Sequence, residues 1–313
     1  MRTRNPSPDD RSVSEVISFT LIFSLIAATV VLVYVSGIGG LEASRSAERV
    51  TNAERAFDVL ADNMNDIHSE GSPSRATEIK VSDAQMQFGD STRITVEVTN
   101  LYETTAETAN LSTITIDPIV YSAGSGPQLV YSNGAVFRQD RGGTVLNNDP
   151  SVLFTDSGGE RTAILPVIQT RQAGVDSTGS QRTILVRTIL ATREVAIAED
   201  DPGTLVNDTD GDGSKEFTDA ELNPDGSDEN GDGVSTVGDN EKDYAVTIRI
   251  STTEERRDAW RDYLNSQIPA SQDVRGTIGD GTSCEGVDPT TVECSIAVEN
   301  VYSTVTRVDV TYD

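Results

Sequence analysis

VISFTLIFSLIAATVVLVYV, residues 16–35, contains no charged side chain, and the uncharged stretch continues through Leu41. At about 1.5 Å per residue, a helix of that length spans about 30 Å, the thickness of a bilayer's hydrocarbon core. Three uses are open for it: a cleaved secretory signal, a permanent anchor, or the apolar helix of a surface subunit. Arg2, Arg4 and Arg11 precede the stretch, and positive charge flanking a span stays on the cytoplasmic side. The N-terminus is therefore expected inside the cell and everything beyond the span outside. A secretory signal has an apolar run of about 7–15 residues ending in a small-x-small cleavage site. Here the run is longer, and Tyr34-Val35-Ser36-Gly37 matches such a site poorly.

Beyond the span, the apolar residues Val50, Ala53, Phe57, Leu60, Met64 and Ile67 follow in steps of three and four, with Ala43 in phase one heptad earlier. Glu54, Arg55, Asp58 and Asp62 fall off that seam. The spacing predicts one helix from about Val13 to His68, apolar in its first half and amphipathic in its second. Gly37, Gly39 and Gly40 weaken it by about 1 kcal/mol each relative to alanine, which marks that point for a bend or local melting. The seam either packs on the chain's own domain or also meets copies of itself.

Asp10-Arg11-Ser12-Val13-Ser14-Glu15 leading directly into the apolar run resembles the N-terminus of haloarchaeal type IV pilin-like proteins. That resemblance implies a short basic leader, residues 1–12, removed by a prepilin peptidase on the cytoplasmic side. The cut would fall near Ser12 and Val13, and Glu15 would correspond to the acidic residue found early in many mature pilins. It further implies that the hydrophobic helix stays with the mature protein, continues into an amphipathic half and carries a β-rich head. The start and the large head are also similar to those of uncharacterised pilin-like membrane proteins of that group.

The chain carries 51 acidic against 24 basic residues, a net charge of −27, and its only lysines are Lys80, Lys215 and Lys242. A surface this acidic stays hydrated in concentrated salt, where long-range repulsion is screened. A halophilic source is expected, with partial unfolding when salt is removed. Nucleic acid is excluded as an expected partner, because nothing would neutralise its phosphates.

Past Ser72-Pro73 the period changes from helical to alternating. Strands are predicted at Thr92–Thr99, Leu111–Ile116, Gln128–Tyr131, Ala135–Arg138, Val152–Phe154, Thr162–Gln169, Thr183–Ile197, Tyr244–Ile250, Cys294–Val301 and Val305–Val310. Asn133-Gly134 marks a type I′ hairpin turn. Thr252-Thr253-Glu254-Glu255 reads as a capping box opening one short helix, with Ala259, Trp260, Tyr263 and Leu264 on its buried face. The fold class is thus α+β: a long N-terminal helix, hydrophobic over residues 13–40 and amphipathic over 41–70, followed by a large antiparallel, sandwich-like extracellular β domain at 71–313 with one short helix.

Residues 199–243 hold sixteen acidic and two basic residues. Within this insert, Asp208, Asp210 and Asp212 precede Gly213, and Asp219 follows six residues later; Asp228, Asn230 and Asp232 precede Gly233, with Asp239 six residues on. Oxygen ligands at positions 1, 3, 5 and 12, glycine at 6 and a backbone carbonyl at 7, here Ser214 and Val234, are the spacing of a calcium loop. The expected cofactor is Ca²⁺ in a structural role, at an affinity of roughly 10⁻⁴–10⁻³ M. Eight residues between Asp219 and Asp228 leave no room for paired EF-hand helices, so the loops are more similar to those of dockerins or thrombospondin-type repeats. A solvated acidic loop is the other reading.

Cys284 and Cys294 are the only cysteines, flank a loop containing Pro289 and are expected to form a disulfide outside the cell. Asn110-Leu111-Ser112 and Asn207-Asp208-Thr209 are sequons, making Asn110 and Asn207 candidates for glycosylation. His68 is the single histidine, expected to be solvated at the end of the amphipathic helix, which removes His-based catalytic dyads and triads. No phosphate-binding or dinucleotide motif is present, and no enzyme is expected. The functional expectation is a pilin-like cell-surface protein, a minor subunit or accessory with a structural or adhesive role. Its partners are the membrane through residues 16–35, copies of itself or other pilins through the helix, and the prepilin peptidase. The alternative is an uncleaved single-pass anchor holding a calcium-stabilised binding domain outside the cell.

Overall fold

The computed structural model describes residues 8–100, 108–198 apart from 125, 158–159, 176 and 180–182, then 204–206, 215–218, 244–268, 284–298 and 300–313. Helix α1 runs from Pro8 to Glu70, longer at both ends than the periodicity predicts. Helical hydrogen bonding continues across Gly37, Gly39 and Gly40, so no melting occurs there. The chain divides into two compact units, Met1–Thr51 and Asn52–Asp313.

In the first unit, every large apolar side chain from Val16 to Val35 is more than half exposed. Among the described residues, the second unit joins the last turns of α1 to three β-sheets. One sheet has the order β13 (Thr204–Val206), β14 (Lys215–Thr218), β12 (Thr183–Ala198), β18 (Asn300–Tyr312), β10 (Glu160–Gln172) and β9 (Leu153–Ser157), with β1 (Ser74–Lys80) also on β12. A second has the order β11 (Ser177–Gly179), β2 (Gln85–Phe88), β5 (Ile119–Ser122), β6 (Gln128–Ser132), β7 (Ala135–Asp140) and β8 (Gly143–Asn148). The third runs β16 (Glu285–Asp288), β17 (Thr291–Val298), β15 (Tyr244–Ser251), β3 (Thr92–Asn100) and β4 (Thr108–Ile116).

Most pairings are antiparallel, but β10 and β18 run parallel from Thr162↔Asn300 to Gln172↔Val310, and β12 and β14 are parallel at Ala196↔Lys215. A parallel pair needs a long connection between its strands, and everything from β11 to β17 supplies one for β10 and β18. Only Glu299 separates β17 from β18, so the chain steps directly from the third sheet into the middle of the first.

Alternation sorts the first sheet's side chains between two cores. Ala163, Leu165, Val167 and Val301 face one core with β3, β4, β15, β17 and the short helix α2 (Glu254–Gln267). Ile168, Ile184, Val186, Val308 and Val310 face the other, which α1 fills with Ala53, Phe57, Leu60, Met64 and Ile67. The two sets come from opposite faces of the same strands, as a period of two requires. Strands β5–β7 are buried on both faces, giving Val120, Val130 and Phe137 to one core and Tyr121, Leu129 and Val136 to the other. The arrangement is the expected sandwich with a helix laid on its far side. From Ala53 to Ile67 the predicted seam of α1 packs on the chain's own sheets, and Glu54 reinforces it by accepting from Arg138 Nη1 at 2.7 Å.

Two local expectations are corrected. The capping box does not form: α2 starts at Glu254 behind Thr253, whose side chain makes no capping hydrogen bond. Thr252 Oγ1 is engaged by Arg256 Nε at 3.1 Å and Thr92 Oγ1 at 3.2 Å, because Arg256 is buried and must place its donors inside. His68 is also buried rather than solvated. It lies four residues after Met64, so the 3.6-residue stripe widens to include it at the helix end.

Candidate membrane anchor and associated sites

The apolar stretch is uniform because each position carries an aliphatic, aromatic or small residue. The hydroxyls within it need partners wherever water is absent. Thr20 Oγ1 donates to the Val16 carbonyl at 2.8 Å and Thr29 Oγ1 to that of Ile26 at 2.9 Å, so both are satisfied inside the helix. Val16–Ile38, 23 residues, is long and apolar enough to cross a membrane, and none of it is buried. Fully covering one Val, Leu, Ile or Phe side chain is worth about 1.5–3 kcal/mol, so water is a poor surrounding for this row. Ser12, Val13 and Glu15, the residues expected at the processing junction, lie on helical backbone within α1, which begins upstream at Pro8.

The disulfide is formed: Cys284 and Cys294 are joined, with 2.02 Å between sulfurs, and both residues are buried. It closes the β16–β17 hairpin, whose turn holds Pro289 as the spacing predicts. Asp288 Oδ1 accepts from the Thr290 amide at 2.7 Å and its hydroxyl at 2.9 Å. These bonds hold the fully solvated Asp288 carboxyl below the usual carboxylate range. Asn265 brackets the other end, accepting from the Cys284 amide at 2.8 Å and donating to its carbonyl at 3.2 Å. Nearby, the Tyr263 hydroxyl sits 2.6 Å from the Pro150 carbonyl and 2.8 Å from that of Val152. Burial pushes its pKa up to about 12, followed in effect by Asp149.

The expected calcium ligands Asp208, Asp210, Asp212, Ser214, Asp219, Asp228, Asn230, Asp232, Val234 and Asp239 lie outside the described residues, as does the sequon residue Asn207. Between Ser214 and Asp219 the chain is strand β14, antiparallel to β13. Among the described residues, no group of three or more His, Cys, Asp or Glu converges. Asn110 lies on β4 with Glu97 as its cross-strand partner.

The polar site that sequence reasoning missed is at His68. Its Nδ1 is 2.8 Å from Thr306 Oγ1 and its Nε2 3.4 Å from Thr304 Oγ1, both on β18. A neutral imidazole has one donor and one acceptor nitrogen, and hydroxyls complement either tautomer. Burial first, then the Arg193 charge, holds the His68 pKa below its ordinary value. A signal was present, since His68 stands at i+4 from a seam residue. No curated protein and no solved structure matches the chain. Residues 11–210, from the N-terminal helix through β13, match a family of unknown function, DUF7289, and the chain belongs to that family.

Proposed function

We propose that this chain is a pilin-like surface protein of a halophilic archaeon, held in the membrane by residues 16–38 before any assembly and carrying its β domain outside the cell. The observation that carries the reading is the division of labour along α1. Within its first half, Val16–Ile38 is uncharged, predominantly apolar and exposed, while Ala53, Phe57, Leu60, Met64 and Ile67 of its second half are buried in the β unit. That division is what a subunit needs if one half must be offered to lipid or to neighbouring helices while the other carries a head. The buried disulfide supports an oxidising compartment for the β domain. The acidic phrases at 208–219 and 228–239 supply hard oxygen donors suited to calcium. Calcium would lower the repulsion among their carboxylates.

A second reading, a permanent uncleaved anchor, is favoured by one observation: α1 already begins at Pro8, ahead of the Ser12–Val13 junction. The two are separated by the mature N-terminus, read by mass spectrometry from membranes of strains with and without a prepilin peptidase. A peptidase-dependent start at or beside Val13 is the expected result. A start upstream of Ser12 in both strains would reject processing and leave the anchor.

A further inference from the structure

We infer that Asn110 carries an N-linked glycan that caps the open edge of the third sheet; this rests on the β domain lying outside the cell. Strand β4 is the last strand of that sheet, and among the described residues no strand pairs with its other side. An uncovered strand edge is a template for pairing with another chain, and proteins blunt such edges with charge, bulges or a covering group. Other edges are protected in different ways: β1 carries Arg75, Glu78 and Lys80, β9 carries Asp156, and β16 carries Glu285 and Asp288, while the uncharged β11 and β13 are only three residues long and the uncharged β8 has α2 beside it. Strand β4, Thr-Ala-Asn-Leu-Ser-Thr-Ile-Thr-Ile, has no charged residue over nine positions, in a chain with 51 acidic and 24 basic ones.

Its two ends differ. Near the C-terminal end, the Thr115 carbonyl accepts from Gln169 Nε2 at 2.8 Å, and Asp117 exchanges backbone and side-chain bonds with Thr170. Those contacts cover that end of the edge. The sequon Asn110-Leu111-Ser112 lies on the other end. A register shift sits between the pairs Thr95↔Thr113 and Glu97↔Asn110, with the extra residue on β4. Ile94, Val96, Val98, Ile114 and Ile116 are buried, so Glu97 belongs to the outer face, where Arg249 lies 3.7 Å from it. The bulge thus gives Asn110 a register position on the outer face, where the unshifted alternation from Ile114 would have placed it inward. The Asn amide nitrogen would carry the sugar, transferred from a lipid-linked donor with release of the lipid phosphate.

The test is glycopeptide mass spectrometry on full-length protein from its native membrane, reading the tryptic peptide 94–138, which contains this sequon and no other. The expected result is a glycan on Asn110 that is lost in Asn110→Gln and Ser112→Ala and kept in Ser112→Thr. Detergent-solubilised Asn110→Gln should sediment as larger, concentration-dependent species than wild type. An unmodified Asn110 overturns the inference. Protease applied outside intact cells then tells whether the outward placement of the domain fails with it or stands. A glycan present with identical sedimentation of the two proteins overturns the capping role.

Discussion

His68 is the residue whose surroundings have the clearest measurable consequence. Its folded pKa is depressed by burial and by Arg193, while in the unfolded chain an imidazole titrates near 6.5. On acidification the unfolded chain therefore binds the proton first. The contribution of a neutral His68 is fully present above about pH 6.5 and is lost as pH falls toward the folded value. Because it is the only histidine, that window is free of other imidazoles. Denaturation in high salt at a series of pH values from 7.5 to 5.5 should show stability falling with pH in the wild type and a flatter profile in His68→Gln. Equal slopes would mean that the imidazole is not held neutral. Asn133 makes the opposite point about legibility. Asn133-Gly134 announced the turn, and both residues have positive φ, 50° and 79°. What the dipeptide could not announce is that Asn133 Oδ1 accepts from the Ile168 amide at 2.8 Å, locking the hairpin to a strand of another sheet.

At the scale of elements, the disulfide hairpin is a short two-stranded piece whose tip strand β16 is exposed throughout. Closing a loop of about ten residues restricts the unfolded chain by about 3 kcal/mol in the loop-entropy account. Replacing both Cys284 and Cys294 by alanine should lower the unfolding free energy by about that amount, measured by denaturant titration. Reductant without denaturant should leave the bridge of the folded wild type intact, because both residues are buried and exchange needs access to a sulfur. Rapid reduction of the folded protein would contradict that burial. Strands with one buried and one solvated face, such as β3 and β15, were legible from alternation alone. Strand β5 was not, since Ile119, Val120 and Tyr121 are all buried and follow Pro118 without any polar beat. Strand β1 was missed for the opposite reason: only Thr77 and Ile79 of its seven residues are buried, so its identity comes from its partner β12.

For the whole molecule, the helix-then-β layout followed from two changes of period, but the order of strands in the sheets did not. Pairing is set by contacts far apart in sequence, and the parallel pair of β10 with β18 has no local signature. This topology makes the C-terminal strand indispensable: β18 pairs with both β10 and β12, and Val301, Val308 and Val310 reach both cores. A chain ended after residue 210 lacks β18, β15 and β17, and should be devoid of cooperative thermal unfolding, although it keeps the seam of α1. A sharp transition in that fragment would show that the β unit is divisible. On the proposed reading, the apolar half of α1 sits in the membrane with the β unit outside. Protease digestion of intact cells followed by peptide mass spectrometry checks that topology. Loss of peptides from residues 71–313, with the Val16–Ile38 segment retained in the membrane fraction, is the expected result. Protection of those peptides until the cells are lysed would contradict it.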